Sequence, residues 1–373
     1  MLRTPEPLCE QPTAAPLWDV EFSAALENKT GKYFIGRDLI RDQRDLIRRV
    51  YYWRRGADRP PGPAIEKMLG LGMRIEVRAA GTMGVSPLPA RRNRRPMLHL
   101  DPHSVVHTSL RPGDIVLCHD LGPITHPSLF RPWVNRLYRE AYRRIAQVAP
   151  RMVFVSEHTR GAFARLYGDA AETRVIYPPL RAGIGGGSMT PVGGINAPFL
   201  LTVGSIGARK NQATMIAAYA RSGLADRGVD YVLCGAREPG AETIEQLARS
   251  TPGVRLLSYV SDAELAWLYA NALGFALVSR LEGFGVPVAE AISRGLVPLV
   301  TRGSVLEEVS GAGAMTADVD DVEAISQAMI ALATMDDTER AARLARMQAS
   351  LDRFSPSAFA TAWRHMLLPR SPI

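Results

Sequence analysis

Two carboxylates, Glu282 and Glu290, bracket the stretch Gly283-Phe284-Gly285-Val286-Pro287. Gly283 and Gly285 let the backbone approach a ligand closely, and Pro287 suits a first helical turn, where its missing N–H costs nothing. The free amides of such a turn favour an anion. Glu282, ahead of the glycines, is placed to accept hydrogen bonds from a sugar ring. Glu290 lies further along a helix that rises about 1.5 Å per residue and is placed to take ribose hydroxyls. Ionised carboxylates accept bonds roughly twice as strong as neutral acceptors do. The pattern therefore predicts a site for a sugar linked to a nucleoside diphosphate. Read as solvated surface acids, the pair would leave the Gly-Phe-Gly-Val-Pro between them unexplained. Phe284 falls within this donor-binding turn and is expected to pack beneath it.

A second constellation lies upstream in Leu201-Thr-Val-Gly204-Ser205-Ile-Gly207-Ala-Arg209-Lys210-Asn-Gln212. Arg209 and Lys210 follow a glycine loop, where cations neutralise the charge that develops on a departing diphosphate. Two cations at a helix start oppose the macrodipole, so a purely structural role is disfavoured. Gly204 follows a strand-like run, and Glu282 follows another, so both motifs occupy the carboxyl ends where ligands of open α/β sheets bind.

The Glu282-to-Glu290 spacing and the upstream glycine, Arg-Lys-Asn segment resemble the retaining glycosyltransferases of family 4. The resemblance implies an α/β GT-B fold, two doubly wound Rossmann-like domains facing a cleft. It implies hexose transfer with retention from a nucleoside diphosphate sugar, with no cofactor and no metal. Gly204, Ser205, Arg209, Lys210, Gly283, Phe284, Gly285, Glu282 and Glu290 would bind the donor, and His119, Glu282, Lys210 and Arg209 would be the catalytic set. Many relatives carry an Arg beside the first glycine; here Ser205 stands there, and Arg209 takes over that role.

His119 and Asp120, which end the apolar run Asp114 to Cys118, resemble the His-Asp strand end of family 4 enzymes with mannose-like donors, where the His faces the donor sugar. Ser156, Thr159 and Arg160 resemble the helix start after the next strand, with Ser156 an N-cap. Lys29 to Gly36 occupies the place of the family's glycine-rich loop in altered form. Gly31, Gly36, Asp120 and Arg160 are the candidates for acceptor binding or domain closure. GDP-mannose is the expected donor, since His119 to Pro127 resembles mannosyltransferases of bacterial polysaccharide synthesis, and a UDP-hexose is the alternative. The expected acceptor is a glycan or lipid-linked glycan. The resemblance runs from about Asp114 to Ile330 and is thin before it.

These groups need two α/β units to position them, and 373 residues suffice for two domains of ordinary size. Strands are expected at 198–203, 230–234, 253–257, 274–278, 297–300 and 313–316, with helices at 212–221, 241–249, 262–271, 286–294 and 321–333. The first half reads as strands at 17–22, 73–78, 114–118, 151–155 and 173–176 and helices at 37–53, 132–149 and 157–167. The expected division is residues 1–180, a glycine- and proline-rich linker at 181–197, a nucleotide-sugar domain at 198–352, and a last segment, 353–373, whose helix returns to the first domain.

Hydrophobic residues make up 46% and charged residues 22%, a globular balance. No apolar run approaches the roughly 20 residues needed to span a bilayer, and no signal-like apolar core follows Met1, so a cytoplasmic chain is expected. Cys9, Cys118 and Cys234 are too scattered for a disulfide or zinc framework. The net charge of +8 points to anionic partners. Arg37, Arg41, Arg44 and Arg48 at helical spacing, and the basic loop 89–96, suggest contact with an anionic membrane at its inner face. Asp38, Asp42 and Asp45 offer the competing reading of a salt-bridged solvent face. A sugar-nucleotide epimerase or hydrolase would share the nucleotide motifs but turn over donor without acceptor. A basic nucleic-acid-binding protein would ignore Glu282 and Glu290 and is disfavoured.

Overall fold

The computed structural model describes residues 18–26, 31–168, 172–180, 189–238, 240–258, 260–348 and 351–368. Among these, two sheets form. The first contains β1 (Trp18–Glu21), β2 (Ile47–Tyr52), β3 (Arg55–Ala57), β4 (Met97–His99), β5 (Ile115–Cys118), β6 (Arg151–Phe154) and β7 (Thr173–Val175), in the order β3-β2-β1-β4-β5-β6-β7. Only β3 runs antiparallel to its neighbour. The second contains β8 (Phe199–Val203), β9 (Asp230–Cys234), β10 (Val254–Leu257), β11 (Gly274–Leu277), β12 (Pro298–Thr301) and β13 (Met315–Ala317), all parallel, in the order β10-β9-β8-β11-β12-β13. The central strands β5, β9 and β11 are buried at every residue, as a sheet covered by helices on both faces requires.

The helices are α1 (Gly31–Asp42), α2 (Pro63–Met83), α3 (Gly122–Thr125), α4 (Pro132–Val148), α5 (Glu157–Tyr167), α6 (Gln212–Ser222), α7 (Ala241–Ser250), α8 (Asp262–Asn271), α9 (Val286–Ser293), α10 (Val305–Ser310), α11 (Val322–Ala333), α12 (Asp337–Gln348) and α13 (Pro356–Leu367). Local chemistry fixes several starts. Ser261 and Glu264 form a capping box at α8, Ser156 caps α5, and Pro287 sits in the first turn of α9. Helix α13 lies on the first lobe, where Leu367 O accepts from Trp18 Nε1 and Met366 O accepts from Arg151 Nη2, each at 2.8 Å.

Two expectations fail in the first lobe. The helix expected over 37–53 ends at Asp42, and Ile47–Tyr52 forms a strand parallel to β1. Its β-branched and aromatic residues bury Ile47, Val50 and Tyr52, and pairing with β1 overrides the helical spacing of the arginines. The strand expected over 73–78 lies within α2. The alternation Met-Arg-Ile-Glu-Val-Arg suggested period two, but over the longer window the buried residues Leu69, Met73, Val77 and Ala80 follow the helical period. The strands β2, β3 and β4 and the helices α10 and α12 had no counterpart in the sequence reading. Cys118 and Cys234 are buried and free; Cys9, the loop residues Lys29 and Thr30, and residues 181–188 of the glycine-rich linker lie outside the described residues.

Candidate active site

The turn after β11 carries Ser279 to Gly285 to the start of α9. Gly285 has φ +95°, a conformation L side chains rarely adopt. Gly283 is required by proximity: a Cβ there would stand 2.2 Å from the carbonyl oxygen of His119. The donor-motif turn of the second lobe thus touches the strand end of the first. The contact is repeated at Gly122, where a Cβ would meet Leu281 Cδ2 at 2.3 Å. Ser156 Oγ, besides capping α5, donates to Gly283 O at 3.0 Å.

The Glu282 side chain is only 8% exposed; it forms an ion pair with Lys210, accepts from Ser279 Oγ at 2.9 Å, and lies 3.5 Å from Arg209 Nη1. Burial alone would raise its pKa, but the charges of Lys210 and Arg209 overcome this and hold it below the usual value. Lys210 packs against Gly204, its Cε 3.2 Å from where a Cβ would lie. Burial pulls the Lys210 ammonium below its ordinary pKa, and Glu282 opposes that shift. Arg209 donates to Glu238 Oε1 at 3.2 Å, and Ser205 Oγ donates to the same carboxylate at 2.6 Å. Two cations are therefore matched by two carboxylates around one glycine turn.

Glu238 was missed by the sequence reading. The available signal was its place just past β9, beside Gly235, since that is another carboxyl end of the same sheet. A recess of about 330 Å³ adjoins this corner, with Ile206, Gly235, Leu256 and Ser258 among its walls. Glu290 is buried on α9 and accepts from Tyr269 OH of α8 at 3.1 Å. Phe284, counted among the donor-binding residues, is buried instead between Tyr177 and Phe354, with centroids at 6.0 and 5.1 Å. Its apolar ring joins the packing between lobes, as expected for a residue beneath the turn.

The facing wall comes from the first sheet. His119 follows β5, is buried, and donates from Nε2 to Leu100 O at 2.8 Å, which leaves Nδ1 as an acceptor. Burial first, then the nearby Lys32 charge, push its pKa down to about 4, so the ring is neutral at pH 7. Asp120 accepts from the amide of Gly122 at 2.9 Å. Its charge reaches across the cleft to Arg209, whose proton is held more tightly by Glu282, Glu238 and Asp120 against the effect of burial. Asp101 anchors this wall, accepting from Lys32 Nζ at 2.8 Å and Tyr138 OH at 2.9 Å, with His103 Nδ1 at 2.7 Å. The Lys32 and His103 charges hold Asp101 well below the carboxylate range although burial alone would raise it.

The remaining candidates sit elsewhere. Gly31 opens α1 and Gly36 lies inside it. Gly36 is a packing glycine: a Cβ would stand 2.5 Å from Phe22 Cε2, where α1 crosses the end of β1. Arg160 pairs with Glu157 at 2.6 Å on the exposed start of α5. Among the described residues no group of three His, Cys, Asp or Glu side chains is arranged to hold a metal ion, and no helix is long and apolar enough to cross a membrane.

Two facing α/β lobes with this cleft define a GT-B fold. Its shape is shared with Alr3699/HepE of Anabaena, solved with UDP and glucose, at TM-score 0.67 and 16% identity over 94% of this chain and 98% of that one. Sucrose-phosphate synthase of Thermosynechococcus elongatus matches at TM-score 0.67 and 15% identity, over 94% and 97% of the two chains. Residues 194–348, which make up most of the second lobe, match the family Glycosyl transferases group 1. A curated relative, O-antigen chain mannosyltransferase B of Escherichia coli, is 35% identical over 161 residues, and this chain spans 42% of its length.

Proposed function

We propose that the chain is a hexosyltransferase that moves a sugar from a nucleoside diphosphate to a hydroxyl with retention at the anomeric carbon. The observation that carries this reading is the convergence of Lys210, Arg209 and Glu282 on the glycine turn at Gly204, with His119 backed against Gly283 from the other lobe. Arriving phosphates would draw Lys210 and Arg209 away from their carboxylates and take their charge, with no divalent cation in that role. Glu282, released from Lys210, would accept from the sugar hydroxyls. Glu290 would take the ribose, exchanging the Tyr269 hydroxyl for it, and the recess beside Gly235 would receive the base. Neutral His119 would accept a sugar hydroxyl through Nδ1. A departing phosphate oxygen would receive the acceptor proton, and closure of residues 198–352 on residues 1–180 about the linker would exclude water.

Mannose from GDP-mannose is the first donor, supported by the 35% identity to a mannosyltransferase and by the His119-Asp120 strand end. A UDP-hexose is the second reading, supported by the shared fold with a protein solved with UDP. A lipid-linked oligosaccharide at the inner face of the cytoplasmic membrane is the proposed acceptor. Thermal-shift titration with GDP, GDP-mannose, UDP and UDP-glucose tests the donor. A ligand at about a hundred times its Kd stabilises the folded form by about 2.7 kcal/mol. One base series should raise the Tm, and Glu290→Ala should abolish most of that rise. Melting unaffected by all four ligands would refute the donor site.

A further inference from the structure

Helix α2 turns to solvent a face that none of the described residues covers. Met68, Leu71 and Ile75 are each more than half exposed, as are Met83 at its last turn and Val85 just beyond. Single exposed apolar residues are ordinary, but residues spaced three and four apart on one helix form a continuous stripe. The core side of α2 is supplied separately, by Leu69, Met73, Val77 and Ala80. Lys67, Arg74 and Arg78 are exposed beside the stripe, and among the described residues no carboxylate pairs with them. The acids of α2 are directed elsewhere: Glu76 is buried against Arg54, and Glu66 is half-buried.

We propose that this face of α2 rests on an anionic lipid bilayer, with Met68, Leu71 and Ile75 at the acyl boundary and Lys67, Arg74 and Arg78 among the headgroup phosphates. Charge selects the occupant. A second copy docked about a two-fold would set these cations against one another, whereas an anionic bilayer complements them and receives the apolar side chains. Lysine and arginine stems lie along apolar surface while their heads reach the phosphates. The arginine row that the sequence suggested for this role is committed elsewhere. Arg37 and Arg41 pair with Asp38, Arg48 pairs with Asp19, and Arg44 donates to Ile47 O.

The position suits an acceptor held in a membrane. A Cβ on Gly70 would meet Leu26 O at 3.0 Å, in the connection leaving β1, and one on Gly81 would meet Trp133 O at 2.4 Å, where α4 begins after β5. Both connections leave carboxyl ends of the first sheet, the ends that face the second lobe. The inference stands on this surface and not on the donor reading, and it supplies the membrane that a lipid-linked acceptor requires.

The test is sedimentation of the full chain with large unilamellar vesicles of phosphatidylcholine, alone or mixed with phosphatidylglycerol. Binding is expected only with phosphatidylglycerol, and inorganic phosphate should not compete, which separates a lipid surface from a free-anion site. Leu71→Gln/Ile75→Gln should lower partitioning at least about tenfold with unchanged circular dichroism. Lys67→Gln/Arg74→Gln/Arg78→Gln should remove the preference for phosphatidylglycerol. Absence of wild-type binding, equal binding by the apolar variant, or a dimer that this variant dissociates would overturn the proposal. Failure on vesicles with an intact nucleotide-induced melting shift leaves the transfer reading standing, and the reverse pattern removes only that reading.

Discussion

The two walls of the cleft hold charge in different ways. On the second lobe, Lys210 and Arg209 face Glu282 and Glu238 around a glycine turn, so two cations are matched by two carboxylates next to where a phosphate would enter. On the first lobe, charge is anchored by Asp101, whose partners Lys32, Tyr138 and His103 all belong to the same lobe, and His119 presents a neutral ring. The first arrangement can exchange a carboxylate for a phosphate without leaving a buried cation unpaired. The second is a fixed polar surface, suited to orienting hydroxyls. The ion pairs that a phosphate would exchange under the proposed function are confined to one wall.

That contrast is broken most directly at Lys210. Lys210→Ala should lower transfer at least tenfold, or more than about 1.4 kcal/mol of transition-state stabilisation. It should also lower stability by about 3 kcal/mol, because Glu282 stays buried without its closest cation. Steady-state kinetics and urea denaturation measure the two effects, and wild-type values in both would show that the second-lobe pairs are not the exchangeable ones.

The first wall is sharpened by acid. The folded pKa of His119 is about 4 against an ordinary 6.5, so between these values the unfolded chain binds a proton that the folded chain does not. Stability therefore falls as pH drops from 6.5 towards 4, by about 3 kcal/mol for this one site. His119→Gln should flatten that part of the profile in denaturation at pH 4.5 and 7. An unchanged slope would mean that the ring is not held neutral.

The smallest effect concerns what joins the walls. Glu308 of α10 accepts from the amides of Glu157 and His158 at 2.8 and 2.7 Å, capping a helix of the opposite lobe. Burial and this carboxylate together push the Tyr177 phenol up to about 12. Glu308→Gln should cost about 1 kcal/mol and enlarge the radius of gyration of the nucleotide-free protein in X-ray scattering. If scattering does not change, the walls are held by packing around Phe284, Tyr177 and Phe354 instead.

Legibility followed the kind of interaction. The second lobe was largely readable because most of its strands are short apolar runs and several helix starts carry their own signal, such as Ser261 with Glu264 or Gly285 with Pro287; α10 and α12 were the exceptions. In the first lobe, Ile47–Tyr52 and Met97–His99 become strands through partners on β1, a preference no local window contains. Within the site, Glu282, Arg209 and Lys210 were visible from spacing. Glu238 and Asp101 were not, since their partners are brought to them by neighbouring strand ends. Gly36 shows a further limit, because a glycine that packs against an aromatic ring, here Phe22, looks in one dimension like a glycine that turns.

By itself the sequence determined the two glycine turns that carry Arg209, Lys210 and Glu282, because glycine, proline and capping residues act within a few positions of the chain. It also determined the strands of the second sheet, which are short and mainly apolar runs. Only the tertiary structure decided that Gly283 lies against His119, that Glu238 shares Arg209 with Glu282, and that α2 leaves an apolar, basic face open. Those contacts join residues far apart in the chain, and their energies exist only once two separately folded layers have been brought within a few ångströms of each other.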